Sequence, residues 1–278
     1  MRTDAEIKEL FARYTDANVT KRGDGVWVVH GDMNFSRKGL NELPFKGIDY
    51  EVMGFFRCDD NQLITLNGGP RMVEGEFWCF SNLLTTLEGA PKVVTGCYDC
   101  RHNQLTTLEG SPRGVVGHFR CSDNQITSLE GSPQVVRGHF ECCNNRLTRL
   151  EGAPREVSGN FWCENNNLTA LNEAPQVVGG NFHVSYWDGN TIHSNPLLSL
   201  QGCPNQIGGD LHICNCYLTD FKGISNNIEG RILCSGNPFG LLDGLPEGYE
   251  SKLCDFMGMP LTLNLLRNAD IKHTGISF

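Results

Sequence analysis

No stretch of the 278 residues is apolar for long enough to span a bilayer. Met1 to Arg22 scatters Asp4, Glu6, Lys8, Glu9 and Arg13 among its apolar residues, so it lacks the unbroken core of a signal peptide. These absences predict a soluble, cytoplasmic protein, and delivery into a host cell by a dedicated secretion machine would leave no such mark. Basic runs are also missing: 23 Lys and Arg stand against 32 Asp and Glu, a net charge of -9. Nucleic-acid binders draw affinity from clustered Lys and Arg, which argues against that class of partner. There is no Ser/His/Asp order, Gly-rich phosphate loop or paired-carboxylate motif, so neither catalysis nor a cofactor is expected.

What is present is a repeat. Thirteen cysteines would suggest disulfides in a small secreted chain, but Cys58, Cys79, Cys100, Cys121, Cys142 and Cys163 fall 21 residues apart. They are one position of a recurring unit that reads close to G-x-F-x-C-x-x-N-x-L-T-x-L-E-G-x-P-x-x-V-x. Six regular copies run from Gly54 to Gly179. A longer copy opens at Gly180, another at Gly209 and a partial one at Gly230; an irregular one, with Phe35, Leu40 and Leu43, opens near Gly31. Positions 3 and 5, such as Phe161 and Cys163, lie two apart on a short strand and face one side. Position 8 is Asn in all six regular copies, from Asn61 to Asn166, and is expected to bond the turning backbone of its own and the next coil. Leu at positions 10 and 13 and Val at position 20 return the chain around the core, while Gly and Pro at 15 and 17 bracket the turns. A single coil cannot bury this face, so neighbours must stack.

F-x-C-x-x-N-x-L-x-x-L followed by x-x-x-P resembles the leucine-rich-repeat consensus L-x-L-x-x-N-x-L. It is similar to the short bacterial repeats of type III-secreted effectors, which Asn103, Leu105, Leu108, Pro112 and Val115 or Val116 match in one copy. It also resembles Asn- and Cys-bearing repeats of tailed-phage proteins. The likeness spans roughly residues 31–246. Two departures stand out: no Pro follows the second Leu, and one extra residue precedes the strand. The expected fold is an α/β-class leucine-rich-repeat-like solenoid, mostly strand and turn, of about nine to ten 21-residue coils with one parallel ladder. The expected divisions are a helical cap over 1–24, an irregular opening coil over 25–53, the solenoid over 54–246 and a C-terminal cap over 247–278.

In the flanks, Thr3 with Glu6 reads as a helix start, and Ile7, Leu10, Phe11 and Tyr14 as its apolar stripe over residues 3–17. Leu253, Phe256, Met259 and the run Leu261–Leu266 are expected to close the other end. The copy at Gly180 carries an insertion over 185–194, read as a loop that presents Tyr186, Trp187 and His193. Aromatics on such a loop point to function.

The cysteine ladder is best read as small apolar core, because its members spread along the axis instead of converging on a metal. Cys97 and Cys100 form a C-x-x-C whose members point to opposite faces of one strand. The histidine pairs His118/His139 and His183/His212 share repeat positions but lack a carboxylate pattern, so solvated side chains are expected and no metal. Some effectors of the resembling family carry a catalytic Cys in a C-x-D setting. Here Cys254-Asp255 lacks the intervening residue and too little chain follows for a catalytic domain. What remains is the outward strand face, where aromatics and Arg give the composition of an interface. The expected partner-binding residues are Trp78, Phe80, Arg101, Arg120, Trp162, His183, Tyr186 and Trp187. The implied function is a non-enzymatic module, of effector or phage type, that binds a host protein. A self-assembling virion component and a small transferase using Cys254 are the alternatives.

Overall fold

The computed structural model describes residues 2–240 and 242–261. Thr3 accepts the Glu6 N–H while the Glu6 carboxylate takes the Thr3 N–H at 2.6 Å, a reciprocal cap that starts the helix Asp4–Ala12. Its Phe11 is fully buried and stacks on Phe45 at 4.6 Å, with Trp27 and Tyr50 around it, so the helix closes the first coil. The chain then turns through Gly25 into an antiparallel pair, Val19–Lys21 with Trp27–Val29, which the helical pattern had not suggested.

From there the coils build two parallel ladders instead of one, the second stopping before the last coils. The ladder expected at positions 3 and 4 runs through eleven rungs, from Met33–Asn34 to Leu253–Cys254. The last rung lies in what the sequence suggested was a cap; the rest of that tail, residues 262–278 with most of the Leu261–Leu266 run, falls outside the described residues. A second ladder at positions 19 and 20 starts at Trp27–Val29 and ends at Gln206–Ile207. Equal coil length sets each backbone over its equivalent, so Val115 pairs with Val136 and Phe119 with Phe140. Position 20 faces in and position 19 faces out, as Val94 and Val93 show.

Between the sheets lies one continuous core. Phe56, Phe77, Tyr98, Phe119, Phe140 and Phe161 stack with centroids 5.2–5.6 Å apart. The ladder cysteines are fully buried free thiols; those of Cys100, Cys142 and Cys163 donate to the next coil's carbonyl at 3.3 Å. Burial pushes their titration upward, which keeps them inert. The asparagines form a second internal ladder. Asn145 Nδ2 donates to the carbonyls of Cys142 in its own coil and Cys121 in the coil before, and its Oδ1 accepts the Ile126 N–H. The bridge therefore runs backward along the axis, not to the next coil as the pattern suggested. Where Cys216 holds position 8, Asn237 of the following coil takes its N–H and that of Leu218.

Close stacking sets two backbone demands. The glycines that open each copy pass N–H to carbonyl, Gly96 to Gly75 and Gly117 to Gly96, and a Cβ on Gly96 would sit 2.6 Å from Gly75. Position 15 is left-handed, with φ of 82–97° at Gly68 through Gly152, yet Glu173 occupies it at φ 67° in one copy.

Candidate functional site

The outward face of the eleven-rung ladder divides into three stretches. At the N-terminal end, the Arg57 guanidinium lies 4.5 Å from the Phe55 ring centroid and 3.8 Å from that of Trp78. Phe80 leans on Trp78 at 5.9 Å, and all four side chains are half-buried. Two aromatic faces hold the guanidinium in place and the Glu76 carboxylate stands 3.6 Å from it, giving a preformed aromatic surface around an ion-paired cation.

The middle stretch is a closed charge cluster. Buried Asp99 takes Arg101 through two bonds, Nε to Oδ1 at 3.0 Å and NH2 to Oδ2 at 2.8 Å. Arg120 donates to Glu141 at 2.8 Å and approaches Asp99 to 3.9 Å. Two cations and two anions cancel, so Arg101 and Arg120 are tied inward and half-buried, not free anchors. The outer-turn pairs Glu88–Lys92, Glu109–Arg113 and Glu151–Arg155, in contrast, make no salt bridge among the described residues.

In the C-terminal stretch the rings stack along the axis. His139 meets Trp162 edge-on at 5.0 Å, Trp162 stacks on His183 at 5.4 Å, and His183 on His212 at 4.0 Å. His183, expected on the open face, is only 6% exposed, set between the Trp162 and His212 rings with Tyr186 of the insertion edge-on to it. Burial first, then the His212 charge, pushes its titration down to about 3; burial takes His212 to about 4.

The insertion is a hairpin, not an irregular loop. Tyr186–Trp187 pairs with Ile192–His193, Tyr186 opposite His193 and Trp187 opposite Ile192. Asp188 closes the turn: Oδ1 accepts the N–H groups of Asn190 and Thr191, and Oδ2 pairs with His193 Nε2 at 2.9 Å. That His193 bond, helped by the two backbone donors, pulls the Asp188 carboxyl down to about 2. Tyr186 and Trp187 keep 46% and 36% of their surface exposed. Ile192, however, packs against Cys214, Leu233 and Cys254, and Trp187 meets Phe256 edge-on at 5.1 Å. The hairpin thus leaves its own rung and lies over the three that follow.

Position 2 carries a role that the sequence hid. Its N–H is not part of either strand ladder, and the preceding coil's position-2 side chain accepts it. Cys97 Sγ takes the His118 N–H, His118 Nδ1 takes that of His139, and His139 Nδ1 takes that of Asn160. Asn160, Asn181 and Asp210 continue the series. His118 and His139 are therefore structural acceptors with the proton on Nε2, not solvated side chains. Burial and the neighbouring His139 hold His118 below its ordinary titration range. Glu164 was also missed. It is buried, one carboxylate oxygen lacks a partner, and desolvation pushes it up to about 7.

Cys254 is a buried rung residue, and its thiol is pushed up by desolvation, opposite to what a nucleophilic cysteine needs. No group of three or more His, Cys, Asp or Glu among the described residues is arranged to hold a metal. No helix among them is long and apolar enough to cross a membrane.

No family model matches the chain, and no curated protein matches it. Among solved structures, YopM from Yersinia enterocolitica WA-314 is similar over 81% of this chain, at 16% identity and a TM-score of 0.36. This chain spans 62% of that structure's length. By its own coil geometry, with 21-residue spacing, parallel rungs and an asparagine ladder, the chain is a leucine-rich-repeat-like solenoid.

Proposed function

We propose that this solenoid is a non-enzymatic protein-binding module that presents its outward strand face to a host or target-cell protein. The observation that carries this reading is the Phe55–Arg57–Trp78–Phe80 cluster, a rigid aromatic surface around a cation, held on rungs that cannot shift independently. Aromatic and Arg side chains supply most of the energy in protein interfaces, and a preordered set loses little entropy on binding. The N-terminal stretch is the anchor, because it carries three aromatic rings, whereas Arg101 and Arg120 are tied into a four-charge cluster and the hairpin spends part of its apolar surface on the molecule itself.

A photo-crosslinking side chain at position 80 tests this in lysate of a candidate host. The expected outcome is one discrete adduct that the same probe at Leu198, exposed on the turn side, does not give. Equal labelling from both positions, or none, would contradict it. Self-association is the second reading, favoured by the exposed Val93 and Val135 on the other sheet. A concentration-dependent discrete oligomer in size-exclusion chromatography would move the assignment there.

A further inference from the structure

A regular face would leave the outward side chains of the last three rungs open, and here the hairpin covers them. Ile192 seals Cys214, Leu233 and Cys254, and Ser185, at the hairpin's foot, accepts the Cys214 N–H on its hydroxyl at 2.7 Å. At the same foot stand the stacked rings of His183 and His212. Both nitrogens of His183 and Nε2 of His212 are buried without a hydrogen-bond partner. A protonated imidazole must donate from both nitrogens, and neither nitrogen of His183 nor Nε2 of His212 has an acceptor. The surrounding groups do not compensate. The Asp210 carboxylate is committed to Arg231 at 2.8 Å, Glu141 to Arg120, and His193 to Asp188 within the hairpin. Glu164 lies one rung back with an unpartnered oxygen, and Tyr186 stands edge-on to His183 at 6.5 Å.

We propose that the hairpin over residues 186–193 is an acid-released lid: protonation of His183 and His212 lifts it and uncovers Cys214, Leu233 and Cys254 as a further apolar stretch of the outward face. The lid stands on this packing alone; only the use of the uncovered stretch for binding rests on the function proposed above.

The closed form keeps both rings neutral, whereas rings freed by opening titrate near the ordinary 6.5. The lid is therefore fully closed above pH 6.5 and loses closure as pH falls toward 4. Each ring favours opening by up to about tenfold per pH unit in that window. Glu164 acts in the opposite sense, because its raised pKa makes the closed form hold a proton between pH 4.5 and about 7. The net effect is about tenfold per pH unit down to pH 4.5, and about 100-fold per unit just below it. Asp188 stays ionised throughout, so the hairpin keeps its turn and moves as a unit.

Dithiodipyridine, which labels thiols in acid, reads the lid when labelling is mapped by mass spectrometry between pH 7.5 and 4.5. Cys214 and Cys254 should label about tenfold faster per pH unit below 6.5, while Cys100, Cys121 and Cys142 stay protected. The double variant His183→Phe/His212→Phe should lose the rise, and with Glu164 left as the linked group its labelling should slow as pH falls. Glu164→Gln, which keeps both imidazoles, should steepen the response and covers the case in which the double variant does not fold. A flat wild-type profile, ladder thiols appearing together with Cys214, a persisting rise in the double variant, or no steepening in Glu164→Gln would each overturn the lid.

Discussion

Rungs two to seven and rungs eight to eleven share one backbone register but treat their outward side chains in opposite ways. In the first group the arginines are paired where they lie: Arg57 sits between aromatic rings beside Glu76, and Asp99 and Glu141 hold Arg101 and Arg120. In the second, both nitrogens of His183 and Nε2 of His212 lack partners at the foot of a hairpin, with an apolar cluster where solvent would otherwise reach. The comparison teaches that an insertion of a few residues changes the environment of a repeat position without changing its geometry. His183 occupies the same repeat position as Trp78 and Arg120, yet it is buried where they are half-buried, and half-buried His212 keeps its Nε2 without a partner.

The largest expected effect belongs to the shared core. Leu150→Ala in a regular coil and Leu200→Ala in the coil that carries the hairpin empty equivalent, fully buried positions. Each should cost about 2–5 kcal/mol in denaturant unfolding. A near-neutral result at either would mean that the two regions do not share one core. Replacing residues 185–194 by the two-residue link of a regular copy comes next. A plain surface loop would be a cheap deletion, but the hairpin shields Leu233, Cys214 and Cys254. Uncovering them should cost on the order of 2 kcal/mol, and an unchanged melting temperature would show that the cover contributes nothing.

A smaller effect of opposite sign is expected at Tyr98, a single hydroxyl in a column of Phe that has no hydrogen-bond partner. Tyr98→Phe should stabilise by about 1 kcal/mol, measured as a raised urea midpoint at constant slope. The smallest is Glu173→Gly, which puts the residue of its sister copies at a left-handed position. A gain below about 1 kcal/mol is expected, and a loss would mean that the Glu173 side chain makes a contact of its own.

Residue types that recur at fixed spacing were legible in the sequence. The cysteine, asparagine and leucine positions gave the coil, its inward side and the inert thiols, because one residue type does one task in each copy. The second ladder was not legible. Position 19 varies from Val93 to Gly114 to Glu156, since it faces outward on strands two residues long. The position-2 acceptors escaped for a related reason: Cys97, His118, Asn160 and Asp210 share the ability to accept a bond, not a residue type. The hairpin did carry a signal, Asp188-Gly189 between an aromatic pair and Ile192-His193. What no pattern could indicate was where it would lie, which depends on apolar side chains three coils away.

The division of the face is tested most directly by comparing two proteins against the same captured partner in a titration. One carries Trp78→Ala, and the other has residues 185–194 replaced by the short link. Trp78→Ala should weaken binding by more than about 2 kcal/mol, while the hairpin-replaced protein binds at neutral pH at least as tightly as the wild type. Full affinity in Trp78→Ala together with lost affinity in the hairpin-replaced protein would contradict the assignment and place the anchor on Tyr186 and Trp187.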